Sequence, residues 1–114
     1  MPAVIVHVPK KLEALHTSAL VDDVRNAVSV SLHIPASSPV VFLYDTPPER
    51  RSVLPERGED LVYVQSIIKA GRSLELKNSL HKAVKAAIMK HTGLPSKGIL
   101  SIIIEVPEEN VDLV

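Results

Sequence analysis

PAVIVHVPKKL (residues 2–12) and VYVQSIIKAGR (62–72) are two versions of one passage, sixty positions apart. Shifting the whole chain by 60 extends the match without a gap. Leu20, Val24, Ala27 and Val28 fall on Leu80, Val84, Ala87 and Ile88; HIPAS (33–37) falls on GLPSK (93–97); VVFLYDTP (40–47) falls on LSIIIEVP (100–107). The agreement is in residue type more than identity, yet Pro35/Pro95, Asp45/Glu105 and Pro47/Pro107 keep the register throughout. A repeat of this length marks a supersecondary unit used twice. The units cover about 2–47 and 62–107, joined by a charged, proline-containing hinge at 48–61 that reads as a solvated loop or a β-hairpin.

Each unit reads strand, helix, strand. Ala3–Val8 and Val62–Ile68 are Val- and Ile-rich runs of strand length. The first helix spans about Leu12 to Leu32. The second begins near Ser73, a good N-cap residue. Leu76, Leu80, Ala83, Val84, Ala87, Ile88 and His91 share one face of it, and Gly93 is placed to stop it. Val40–Tyr44 and Leu100–Ile104 close the units. A strand–helix–strand unit gives a parallel pair with a right-handed crossover. Two of them predict an α/β (α+β) chain: a duplicated β-α-β fold in one domain, 1–114, with a four-stranded mixed sheet and two helices on one face.

Two helices on one face leave the other bare. Yet Val4, Val6 and Val8 alternate with Ala3 and Ile5, and Ile102 and Ile104 alternate with Ile103, so both faces are apolar, as in sheets buried on both sides. The second face calls for a partner, most simply further copies of the chain packed sheet to sheet under closed symmetry. The 114 residues carry 13 basic and 13 acidic side chains, which argues against a nucleic-acid partner. There is no cysteine, so disulfides, iron–sulfur clusters and thiolate nucleophiles are out. No apolar run approaches the roughly 18 residues of a membrane span, and MPAVIVHVPKK lacks the charged start of a secretory signal; a cytoplasmic protein is expected. His7, His16, His33, His81 and His91 show no metal-ligand spacing, and no glycine-rich phosphate loop occurs, so neither a metal nor a cofactor is expected.

A duplicated β-α-β unit with proline directly after the initiator methionine resembles the tautomerase superfamily, over nearly the whole chain. VYVQSIIKAGRSLELKNSL, HTGLP and IIIEVPEEN are most similar to the second unit of its cis-3-chloroacrylic acid dehalogenase branch. The resemblance implies a homotrimer of double units and a catalytic N-terminal proline, here Pro2, once Met1 is removed. Arg72 matches the arginine of the family's G-R-[ST] motif, which grips a substrate carboxylate. Lys69 matches the first of two branch arginines, in a pattern that reads K-A-G-R here. Two positions depart from the branch. Its water-activating glutamate is matched by Leu113, with Asp112 one place early, and its last-strand tyrosine by Ile102.

On this reading Pro2 is a secondary amine whose ordinary pKa is near that of an α-amino group, about 8. Burial and the cations Lys69 and Arg72 lower it toward neutrality, where a proton shuttle works best. The expected activity is cofactor-independent tautomerisation of small 2-oxo or 2-hydroxy-alkenoic acids. Pro2 is the general acid/base, Arg72 the carboxylate clamp and Lys69 a point charge beside the developing enolate. Two other activities stay open: hydration or dehalogenation of short unsaturated acids, and a non-catalytic oligomeric binding or signalling module. Val62 stands where Pro2 would repeat, and Leu12 where Arg72 would, so one working site per chain is expected. Arg50, Arg51 and Arg57 are candidates for the rim of the pocket.

Overall fold

A computed structural model describes residues 2–113. The first unit is β1 (Ala3–Val8), α1 (Ala14–Leu32) and β2 (Val40–Asp45); the second is β3 (Val62–Lys69), α2 (Leu74–Thr92) and β4 (Ile99–Val106). Short 3-10 turns lie at Pro48–Arg50, Pro55–Arg57, Ser96–Gly98 and Glu108–Asn110. The sheet order is β2-β1-β3-β4, with each unit internally parallel and the two joined by an antiparallel β1–β3 pair at the centre.

The register confirms that the duplication is gapless. Ala3 lies opposite Val40 and Tyr63 opposite Leu100, 37 residues further on in each case. Ile5 and Gln65, which are repeat equivalents, lie opposite each other. A pseudo-twofold axis therefore passes between them and exchanges the two ends of the sheet.

One face of the sheet holds the core. Val4, Val6 and Val8 of β1 and Val62, Val64 and Ile68 of β3 meet Leu20, Val24 and Val28 of α1 and Leu80, Val84 and Ile88 of α2, all of them buried. Each such side chain contributes about 1.5–3 kcal/mol by leaving water. One polar intruder sits among them: Ser66 is fully buried and its hydroxyl has no hydrogen-bond partner among the described residues. The helices are tied edge to edge by Asp23, which accepts from His91 Nε2 at 2.6 Å and Lys90 Nζ at 3.2 Å. These two bonds, His91 first, hold the Asp23 carboxyl below the usual aspartate range.

The opposite face carries Phe42, Tyr44, Leu100, Ile102 and Ile104, all exposed, with Phe42 at 54%. This is the bare apolar face that strand alternation predicts. A patch of this kind on a folded chain marks an interaction surface.

Three local features differ from the sequence reading. Helix α1 starts at Ala14, not Leu12, because Leu12 packs against the core while Glu13 stays extended as an N-cap without a side-chain bond. Strand β3 runs one residue further, so Lys69 is its last residue. The hinge is not a β-hairpin; it is a mostly exposed loop with two 3-10 turns, and it is clamped from within. Arg51 reaches back into it, donating to Thr46 O at 2.9 Å, Thr46 Oγ1 at 3.0 Å, Leu61 O at 2.7 Å and Glu59 O at 3.2 Å. The two helix ends show the repeat solving one problem differently. Gly93 takes the left-handed cap of α2, as expected, whereas His33 takes it for α1 at φ 57°.

Candidate active site

Pro2 is fully buried at the entry to the central strand β1, and its carbonyl accepts from the Val40 amide at 3.0 Å. A proline suits this place, since a residue leading into a strand loses no ladder donor. Ala3 faces Ile67 across the antiparallel pair, so Pro2 stands at the end of the sheet where β3 finishes with Ile68 and Lys69. Alternation sends Ile68 into the core and Lys69 to the open side, where its side chain is 43% exposed. Met1 lies outside the described residues.

The turn after β3 brings the third residue in. Ala70 N–H donates to Val106 O at 2.9 Å, and Gly71 adopts φ 109°, a backbone that L side chains rarely take. The chain thereby doubles back, and Arg72 Nη1 donates to the Lys69 carbonyl at 3.2 Å. Ser73 then caps α2, its Oγ accepting from the Leu76 amide at 3.2 Å. The K-A-G-R-S run is one compact turn at the Pro2 end of the sheet.

Two carboxylates lie near this end of the sheet, one on Lys69 and one on Lys77 of α2. Glu108 Oε1 lies 3.4 Å from Lys69 Nζ, and Glu105 Oε1 lies 3.2 Å from Lys77 Nζ. Their signal was the E-V-P-E-E turn ending β4, parallel to β3 with Lys69 opposite Val106. Asp112 and Leu113 lie on the exposed tail, and Ile102 sits mid-face on the bare side of β4. The hinge arginines do not rim this place: Arg51 is the hinge clamp, and Arg50 lines a cleft with His7 at the far end of β1. A cleft of about 590 Å³ is also elsewhere, between Pro55–Leu61 and Leu94–Gly98. Among the described residues no group of three or more His, Asp or Glu is placed to hold a metal ion, and no helix is long and apolar enough to cross a membrane.

No protein-family model matches the chain, and no curated protein matches it in sequence. Its fold has many matches among solved structures. Pt0534 inactivated by 2-oxo-3-pentynoate superposes with TM-score 0.89 at 21% identity, covering 97% of this chain and 90% of that one. A fused 4-OT wild-type symmetric trimer gives TM-score 0.89 at 23% identity, again covering 97% and 90%. FG41 malonate semialdehyde decarboxylase inhibited by 3-bromopropiolate gives 0.83 at 18%, covering 98% and 88%. These three are tautomerase-superfamily proteins, and the chain has their fold.

Proposed function

We propose that the chain is a cofactor-independent tautomerase of small 2-oxo or 2-hydroxy-alkenoic acids, with Pro2 as general acid/base, working as a homotrimer. What supports this reading is that buried Pro2 leads into β1 at the end of the sheet where β3 finishes at Lys69 and the Arg72 turn follows. With Met1 removed, Pro2 is a secondary amine. Its neutral nitrogen takes the hydroxyl proton of an enol and returns a proton to carbon, leaving the 2-oxo acid. Arg72 holds the substrate carboxylate through its guanidinium fork, and Lys69 faces the enolate oxygen.

The Lys69–Glu108 pair does not obstruct this role. Glu108 is 82% exposed and the separation is 3.4 Å; such surface pairs contribute about 0–1 kcal/mol, so an arriving carboxylate displaces Glu108 readily. The bare apolar face supports the trimer, because sheets packed against one another cover it and supply walls for the Pro2 end. The resemblance of 62–107 to the dehalogenase branch keeps a second reaction in view. Water addition to short unsaturated acids needs a carboxylate, and Glu108 is the one beside Lys69.

The deciding experiment takes untagged protein, establishes by intact mass that Met1 is absent, and follows phenylpyruvate ketonisation. General acid/base groups contribute about 100- to 10,000-fold, so Pro2→Ala should lose at least two orders of magnitude, while Arg72→Ala chiefly raises KM. Equal rates for the wild type and Pro2→Ala would discard the tautomerase and favour a binding module. Water addition to a short acetylenic acid, lost in Glu108→Gln, would favour the second reaction.

A further inference from the structure

The other end of the sheet carries chemistry of its own. About 16 Å along β1 from Pro2, three rings stand in a row on the bare face. His7 lies between Tyr44 of β2, with ring centroids 5.3 Å apart and planes 17° from parallel, and Tyr63 of β3, at 5.9 Å and 21°. Tyr63 Oη accepts from Gln65 Nε2 at 2.8 Å. The start of the hinge borders this row and leaves an open, shallow cleft of about 480 Å³, lined by His7, Tyr63, Leu100, Val53, Arg50 and Arg51 among others. Arg51 directs its donors into the hinge. Arg50 is exposed; its backbone N–H donates to Pro47 O at 2.8 Å, and its guanidinium makes no hydrogen bond or ion pair among the described residues.

The pseudo-twofold axis says what this cleft is. It carries the 46–53 segment onto 106–113, Val62 onto Pro2 and Leu12 onto Arg72. The cleft is thus the counterpart of the Pro2 site with the amine and the turn cation removed. In their place the chain carries Tyr63 for Ala3, His7 for Ile67 and the cation Arg50 for the neutral Asn110.

We propose that this cleft is a second ligand site, specific for a flat, singly charged organic carboxylate. The free Arg50 guanidinium supplies the fork that fits a carboxylate. The His7 imidazole gives a further polar contact, and Leu100, Val53 and the Tyr63 ring flank a conjugated or aromatic body. One free cation selects one negative charge. With no amine present, the site binds and does not turn over.

The chain contains its own reporter. It has two tyrosines and no tryptophan, and those two rings are the ones that sandwich His7, so all intrinsic fluorescence comes from this end of the sheet. Benzoate, with neutral benzamide as the control, should be titrated into the intact full-length protein. Tyrosine emission and the His7 ring protons are the two readouts. The expected result is a saturable change with benzoate and none with benzamide, weakened at least tenfold in Arg50→Gln and unaltered in Pro2→Ala. Arg50→Gln should leave turnover at Pro2 unchanged. No saturable change with benzoate, an equal response in Arg50→Gln, or a response lost in Pro2→Ala would overturn the proposal. The first two results would leave the Pro2 reading untouched, and a failed Pro2 assay would leave this site standing.

Discussion

Arg51 and Arg50 are neighbours in sequence with opposite structural fates, and replacing each by methionine tests whether the hinge is clamped. Arg51 makes four hydrogen bonds, to Thr46 O, Thr46 Oγ1, Leu61 O and Glu59 O, at 2.7–3.2 Å. A hydrogen bond involving a charged group nets about 1.5–3 kcal/mol when well shielded. The side chain is only half-buried and water can replace it at the carbonyls, so about 0.5–1 kcal/mol each is the fitting figure, or about 2–4 kcal/mol in total. For a chain of this size that corresponds to a fall in Tm of roughly 10 °C or more. Arg50→Met should stay within about 0.5 kcal/mol, as exposed substitutions do. Arg51→Lys should recover less than half of the loss, since one ammonium cannot reach acceptors spread from Thr46 to Leu61. The assay is thermal and urea unfolding at fixed protomer concentration, because assembly makes apparent stability concentration-dependent. Equal stability of Arg51→Met and Arg50→Met would refute the clamp and restore the picture of a loose loop.

Three further outcomes are expected. Ser66→Ala removes a buried hydroxyl that has no partner among the described residues and should stabilise the chain by about 1 kcal/mol; a loss of stability in urea unfolding would show that the hydroxyl is satisfied. Gly71→Ala forces an L side chain to φ 109° and should cost about 1–3 kcal/mol while mis-aiming Arg72 and raising KM, whereas Gly58→Ala, at φ 90°, should show the stability cost alone; matching kinetics for the two would separate the turn from the site. Burial, and then Lys85, lower the pKa of His81, whose Nδ1 lies 2.7 Å from Ser101 Oγ. The unfolded chain therefore binds more protons at His81, so its contribution to stability is present above about pH 6.5 and is lost as pH falls toward the depressed folded value. In His81→Gln the stability curve should be flatter than wild type below pH 6.5, and an unchanged slope would contradict this.

The duplication was legible because no insertion interrupts it, and from it followed the elements, the single-faced core and the apolar second face. Pro2, Lys69 and Arg72 were read as a group from the family resemblance alone; the antiparallel β1–β3 pairing that sets the start of β1 beside the end of β3 is a matter of strand order. What the sequence hid depends on strand order. His7 meets Tyr44 and Tyr63 only because β1 lies between β2 and β3, a placement that neither unit specifies alone. The same holds for Glu108 on Lys69 and His91 on Asp23, where residues far apart in the chain meet across elements. Arg51 was read as a rim candidate and not as a clamp because three of its four hydrogen bonds go to backbone carbonyls, which leave no trace in residue types. The start of α1 was misplaced because Leu12 is apolar and in phase with the helix, yet serves the core from outside it.

Ile5 facing Gln65 across the pseudo-axis has a consequence for how such a chain can change. In an assembly of identical single units, a residue on the axis meets its own copy, and every substitution strikes both ends at once. A novelty at one end must then be tolerated at the other. Joining the units in one polypeptide removes that obligation. Gln65 can support Tyr63 while its counterpart Ile5 stays apolar. One end of the sheet can keep its proline and its arginine turn while the other acquires histidine and tyrosine. The covalent hinge thus gives each end a separate inheritance under a shared architecture.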